Sequence, residues 1–225
     1  MTKLKKLHLG CGTVAPLDWI NIDSSWNAWL AKYPFLRRLI KMTGLVNKNL
    51  LDISWPKNIL MHDLTKPLPF KDNSIDCIYS SHILEHLYLE QAKKLLKECG
   101  RVLKSRGIVR IIVPDLKAFS KDYLSNQKVI EDEWETNADR FMGRLHIKQP
   151  STPKNFIHYV YSKLNDTDSH KWMYDEYSLR YYLKKFGFKK IKKRKVNKSK
   201  IYDIKKLEQP ERLNDAICME AEKED

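Results

Sequence analysis

The chain has 225 residues, 42% of them hydrophobic and 31% charged, with a formal net charge of +14. That length suits one domain with a sizeable core, and the composition excludes a disordered or fibrous chain. No apolar run approaches 18 residues and no signal pattern opens the sequence, so a membrane span is excluded and a cytoplasmic location is expected. The four cysteines, Cys11, Cys77, Cys99 and Cys218, form no C-x-x-C pair and read as reduced thiols.

The chain begins with a short apolar strand around Leu7 and Leu9, the turn Gly10-Cys11-Gly12, and a second strand from Trp19 to Ile22 that ends in Asp23. Glycines at the carboxyl end of a strand let a ligand approach the backbone, and an acid closing the next strand can accept both hydroxyls of a ribose. Gly10-x-Gly12-x-x-Ala15 matches the letters of the dinucleotide fingerprint. That fingerprint needs a helix after its turn to hold a pyrophosphate, with the acid about 20 residues on. Here Pro16 follows at once and Asp23 comes too early. A ribose-bearing cofactor without phosphate suits the loop better. S-adenosylmethionine (SAM) fits, with its ribose at Asp23 and its methionine end at the glycine turn. An ordinary strand-turn-strand with incidental glycines is the competing reading.

Trp26 to Thr43 carries apolar residues at helical spacing, interleaved with Lys32, Arg37, Arg38 and Lys41. It reads as a helical insert near 26–45, with Pro34 marking a break or a late start. Packing on its own domain is the common fate of such a stripe; a lid or a peripheral membrane contact are the others. A third strand ends at His62-Asp63, a proline-rich loop and an Asp72-Asn73-Ser74 turn follow, and Ile75 to Ser80 is the fourth strand.

Three blocks now stand in order: LHLGCG with INID, HDLTKPLPFKDNSID, and CIYSSHILEHL. Together they resemble the class I SAM-dependent methyltransferases, and most of all their small-molecule branch (methyltransferase type 11-like), over about Lys5 to Asp115. The resemblance implies that Gly10, Cys11 and Gly12 line the methionine moiety and that Asp23 and Ser24 meet the ribose. It implies that Asp63 and Leu64 flank the adenine and that Ser80 faces the methyl-donor end. Two departures stand out: His8 replaces a usual acid, and the full helix between the first two strands is missing. The short spacing resembles a subgroup often associated with surface-polysaccharide pathways.

His82-x-x-Glu85-His86 spells an inverted zinc-protease pattern, but in this family it falls where a helix begins after the fourth strand; the resemblance includes O-methyltransferases that place a divalent ion beside this Glu-His pair, but no metal is expected here. Leu87 to Lys104 carries one apolar stripe and reads as a helix ended by Gly107. Ile108 to Val113 reads as a strand buried on both faces, with Asp115 beyond its carboxyl end, facing an acceptor or capping the helix of Leu116 to Leu124. The aromatic-rich stretch near 124–170 reads as an acceptor-side cap, in which His146 and His170 are structural histidines or catalytic ones. Asp175 is an N-cap for a helix to Phe186, Gly187 ends it, and Phe188 to Val196 and Ala216 to Ala221 are the last strands.

The expected architecture is one α/β domain over residues 1–225: a Rossmann-like, seven-stranded, mainly parallel sheet with an antiparallel last strand and helices on both faces. The expected activity is methyl transfer from SAM to a small-molecule or glycan acceptor, at oxygen, with His82 as first candidate for general base and Asp115 as second. The lysine-rich stretch from Lys184 to Lys200 admits an anionic acceptor or RNA, but lysine also protects an edge strand from pairing, and no nucleic-acid module accompanies the charge. An RNA methyltransferase and a non-catalytic SAM-binding protein are the alternatives.

Overall fold

The computed structural model describes residues 4–43, 52–125, 137–147 and 169–225. Seven strands form one sheet: β1 (Lys6–Leu9), β2 (Ile20–Asp23), β3 (Ile59–Met61), β4 (Ile75–Ser81), β5 (Leu103–Pro114), β6 (Phe188–Lys193) and β7 (Ala216–Lys223). Their order is β3-β2-β1-β4-β5-β7-β6. The pairings from β3 to β5 are parallel, and β7 runs antiparallel between β5 and β6. The order reverses at β1 and β4, and that crevice beyond the strand ends is where open α/β sheets bind ligands.

One face of the sheet is apolar and covered by helices. Leu7, Leu9, Ile22, Ile78, Val109 and Ile111 pack with Leu95, Leu96 and Cys99 of α3 (Leu89–Val102) and Leu179 and Leu183 of α6 (Glu176–Lys185). Asp175 caps α6 as expected: its side chain accepts from the Ser178 backbone N–H at 2.7 Å. Gly187 follows with φ of 81°, the left-handed position that favours glycine.

The other face carries a polar row across the paired strands, Asn21, His8, Tyr79, Arg110 and Glu220. Only ten residues, 10–19, separate β1 from β2, so no helix between them covers this row. The connection from β6 to β7 covers it instead. Ile201, Ile204, Leu207 and Leu213 pack onto Trp19, Cys77, Tyr79 and Ile112 through two 3₁₀ turns, Ile204–Lys206 and Pro210–Leu213. Arg110 fastens this cover. It is fully buried, donates to Glu208 at 2.5 and 3.0 Å, and reaches the backbone carbonyls of Lys195 and Lys198, both at 3.1 Å.

The insert after β2 is two helices, α1 (Trp26–Ala31) and α2 (Pro34–Thr43), with Pro34 starting the second. Ala28 of α1 packs with Cys11 and Ile59. On α2, Phe35 and Met42 are exposed beside Arg37 and Lys41, which bond to the Ile53 carbonyl and to Asp52. Beyond β5 lie α4 (Leu116–Ser125) and α5 (Asn137–Arg144), the described part of the expected acceptor-side cap; residues 126–136 and 148–168 of that cap lie outside the described residues.

Gly107 does not end a helix. The third helix stops at Val102, and β5 begins at once with Leu103 opposite Ile75. The register jumps before Cys77 meets Ile108, and the bulge needs Gly107, because a Cβ there would lie 2.8 Å from the Lys104 carbonyl oxygen. The middle of the lysine-rich stretch is the edge strand β6, and much of the stretch's charge is paired: Lys189 with Asp225, Lys190 and Lys200 with Glu222, and Arg194 with Glu220. No described helix is long and apolar enough to cross a membrane.

Candidate active site

The site begins with the turn after β1. Gly10 and Gly12 have φ of 62° and 55°. Cβ atoms strongly disfavour that region, so the turn is built on residues that lack one. A Cβ on Gly10 would lie 1.9 Å from Ile83 Cδ1, so the turn presses against the segment beyond β4. A Cβ on Gly12 would meet nothing within 4 Å, which leaves an open cradle of exposed backbone. Cys11 between them is buried and faces α1; burial, and then the charge of Asp23, push its thiol up to about 12. Its side chain packs with Ala28 and Ile59, and its thiol donates to the Gly12 carbonyl at 3.6 Å.

Asp23 closes β2 and ties the turn down. Its Oδ2 accepts from the Gly12 N–H at 2.8 Å and its Oδ1 from the Ser25 N–H at 2.7 Å. Each carboxylate oxygen can accept a second bond, so the residue is both a brace and a free acceptor. Ser24 is exposed, while Ser25 is the cap of α1, accepting from the Ala28 N–H at 3.2 Å. The end of β3 lies beside Asp23: Met61 pairs with it, and the His62 N–H donates to its carbonyl at 3.1 Å. Asp63 follows, exposed, with Oδ1 accepting from the Thr65 N–H at 2.9 Å. Leu64 turns its side chain into the core.

The end of β4 forms the opposite wall. Ser80 pairs with Leu9, and its Oγ is buried with no hydrogen-bond partner. His82 follows in the left-handed region, φ 54°, with its N–H donating to the Ile112 carbonyl. Its Nδ1 lies 3.0 Å from Oε1 of Glu85, which is fully buried. A cavity of about 100 Å³ joins the glycine turn to the end of β4, lined by Gly10, Gly12, Ser81, His82, Leu207 and Gln209 among others, while Asp23, Asp63 and Ser80 do not line it. Thus the glycine turn and His82 share one space, roofed by the connection from β6 to β7.

These features fit SAM. An open glycine cradle, an acid with spare acceptor capacity at the next strand end, and an orphaned buried hydroxyl converge on the switch point. Asp115 stands apart from the cavity's lining. Its Oδ1 accepts from the Lys117 N–H at 3.0 Å, so it caps α4, and its own N–H donates to the Asp215 carbonyl.

Some of the site was not foreseen. Leu207 and Gln209 lie in a segment that reads only as a loop, with no motif to mark it. Beside Glu85, three histidines gather: His86 and His146 both lie against His170, with ring centroids 5.1 and 4.8 Å away. Burial pushes His170 down to about 4, while the charge of Glu85 opposes that shift. Histidines 24, 60 and 84 positions apart give no sequence signal that they will meet.

The family model described as a methyltransferase domain matches residues 7–111, which span the glycine turn, Asp23, Asp63 and His82. No curated protein matches the chain. Among solved structures, a SAM-dependent methyltransferase from Methanosarcina mazei is 16% identical with a TM-score of 0.50, covering 100% of this chain and 94% of its own. The YcgJ protein of Bacillus subtilis is 13% identical with a TM-score of 0.50, covering 99% and 93%. A SAM-dependent methyltransferase of Thermotoga maritima, described as a possible histamine N-methyltransferase, is 14% identical with a TM-score of 0.48, covering 100% and 84%. At such identities the structures speak to the fold alone. Residues 7–111 match a methyltransferase domain, and the chain is a SAM-dependent methyltransferase that uses S-adenosylmethionine as its cofactor.

Proposed function

We propose that this methyltransferase acts on an oxygen of a small-molecule or glycan acceptor, with His82 as the general base. One observation carries the reading: His82 lines the same cavity as Gly10 and Gly12, and its Nδ1 is held 3.0 Å from a fully buried carboxylate. When bound, SAM supplies an electrophilic methyl group. The chain's tasks are then to align the acceptor and to receive its proton. Alcohols keep their proton at neutral pH and need that help; amines at their free-base stage do not. Glu85 fixes the ring of His82 and leaves Nε2 as the nitrogen able to take a proton. Asp115 is the second candidate, with one oxygen engaged at the start of α4.

Within the same reading, Gly10, Cys11 and Gly12 offer backbone to the methionine moiety, Asp23 and Ser24 hold the ribose, Asp63 and Leu64 border the adenine, and Ser80 stands at the donor end. The residues from 124 to 170 would close over the acceptor, in one domain with the sheet. Exposed Phe35 and Met42, flanked by Arg37 and Lys41 on α2, suit an anionic or lipid-linked acceptor, or a peripheral contact with an anionic membrane surface.

The test is methyl transfer from labelled SAM to a panel of hydroxylated acceptors: free sugars, nucleotide sugars and phenols, with amines as the contrast. The expected result is labelling of a hydroxyl, with turnover lowered at least about 100-fold in His82→Ala and SAM affinity unchanged by calorimetry. Labelling confined to amines or carbon, or full turnover in His82→Ala, would overturn the reading.

A further inference from the structure

Glu85 is an unusual residue to bury completely. One oxygen, Oε1, faces His82; the other, Oε2, is buried with no hydrogen-bond partner. A carboxylate oxygen left without a partner away from water is costly, and a cation is the usual remedy. Two histidine rings stand beside it. His86 Nδ1 lies 3.3 Å from the Ser169 carbonyl oxygen, so Nδ1 carries the proton and Nε2 presents its lone pair. His170 also has a buried Nδ1 without a partner. Glu85, His86 and His170 each offer a ligand atom, and the three atoms lie within 4.8 Å of one another.

The backbone holds this arrangement from both sides. The N–H groups of Lys171 and Trp172 donate to the Glu85 carbonyl at 2.6 and 3.2 Å, which fastens the segment after Ser169 to the 3₁₀ turn Leu84–His86. His170 and His86 therefore face each other across a fixed junction, and His146 lies over the outer side of His170.

We infer that Glu85, His86 and His170 bind one divalent metal ion of the zinc class, with His146 at the mouth of the site. Two imidazoles and a carboxylate are a ligand set that such ions favour over magnesium or calcium, which prefer oxygen alone. Bonds of about 2.0–2.2 Å require the three atoms to draw together, which rotation of the half-buried His170 ring supplies. Three protein ligands leave a coordination position open, as in sites where the ion meets a substrate. Glu85 would then bridge the ion and His82 through its two oxygens, as a shared support for both. Metal binding goes beyond the acceptor reading and can fail separately from it.

The experiment uses the full chain, stripped with a chelator, moved to metal-free buffer and titrated with Zn²⁺, and with Co²⁺ as a spectroscopic probe. One equivalent should bind, with the visible Co²⁺ bands of a low-coordinate nitrogen and oxygen site. His170→Gln and His86→Gln should each weaken binding at least about 100-fold while keeping SAM affinity and the thermal transition of the metal-free protein. Should Glu85→Gln not fold, those two variants decide the matter. No stoichiometric binding by the wild type, or equal affinity in both histidine variants, would overturn the site.

Discussion

Gly12 and Asp23 are joined by a 2.8 Å hydrogen bond from the backbone N–H of the turn to the carboxylate that ends the next strand. The turn is therefore shaped before any cofactor arrives. The second oxygen of Asp23 takes the Ser25 N–H, so one side chain orients the glycine loop and the start of α1 together.

Asp23→Asn tests that double duty. The amide must turn its NH₂ toward one of two N–H donors, leaving that donor without an acceptor, at a cost of about 1–3 kcal/mol. It also removes the charge that would meet the ribose hydroxyls. SAM affinity should fall at least about tenfold, equivalent to about 1.4 kcal/mol, in isothermal calorimetry. An unchanged affinity would mean that the ribose lies elsewhere.

The two glycines of the turn should respond differently to alanine. At Gly12 the added methyl meets no protein atom, so Gly12→Ala should cost only about 1–2 kcal/mol of stability, from its positive φ. Its methyl would nevertheless enter the cradle, and SAM affinity should drop. At Gly10 the methyl collides with Ile83 Cδ1, so Gly10→Ala should unfold at markedly lower denaturant. The double variant Gly10→Ala/Ile83→Ala should recover part of that loss, because it removes the atoms at 1.9 and 2.4 Å. Equal behaviour of the two single variants in urea would refute the packing account.

Arg110 links the sheet to the segment that roofs the cavity, and its removal would strand Glu208 in the interior and leave Glu220 with Arg194 as its cation. Breaking one side of a buried pair costs about 3–5 kcal/mol. Arg110→Met should thus lower the melting temperature by about 10 °C. Arg110→Met/Glu208→Leu should regain much of it, since apolar groups of similar size often replace buried ion pairs without loss. A double variant no better than the single one would locate the cost in Glu220 or in the lost carbonyl contacts at Lys195 and Lys198.

Strand positions and the cofactor turn were readable because local chemistry dictates them. Alternation and β-branched runs marked β1, β4 and β5, and a glycine needs no partner to announce a turn. The short interval between Gly10 and Asp23 also showed that no helix lies there. What covers the bare face was not readable. Ile201, Ile204 and Leu207 fall at every third position, a run too short to mark a helix, and Arg110, which fastens their segment through Glu208, reads as an interruption in an apolar strand. A glycine after a helical stripe is a common stop signal, but Gly107 sits in the bulge of β5, where a Cβ would crowd the Lys104 carbonyl and the Leu103 side chain. The histidine cluster depends on the fold bringing residues 82–86, 146 and 170 together, which local pattern cannot encode.

His8 provides a test of the covered face by pH. It is 4% exposed, wedged between Trp19 and Tyr79, and burial holds its pKa down at about 4 against an ordinary 6.5. Asp23 and Asn21 favour the charged ring, but desolvation outweighs them. The folded protein therefore keeps His8 neutral at pH values where the unfolded chain protonates it. That contribution is fully present above pH 6.5 and is lost progressively as pH falls from 6.5 toward 4, amounting to about 3 kcal/mol. His170 shifts in the same direction, so the measurement is a difference between proteins. Urea unfolding of the wild type and His8→Phe, which keeps an aromatic ring between Trp19 and Tyr79, should be followed from pH 7 to pH 4. The variant should lose less stability over that range by about 3 kcal/mol. Parallel pH profiles would show that water reaches His8 and that the β6–β7 connection does not seal the face.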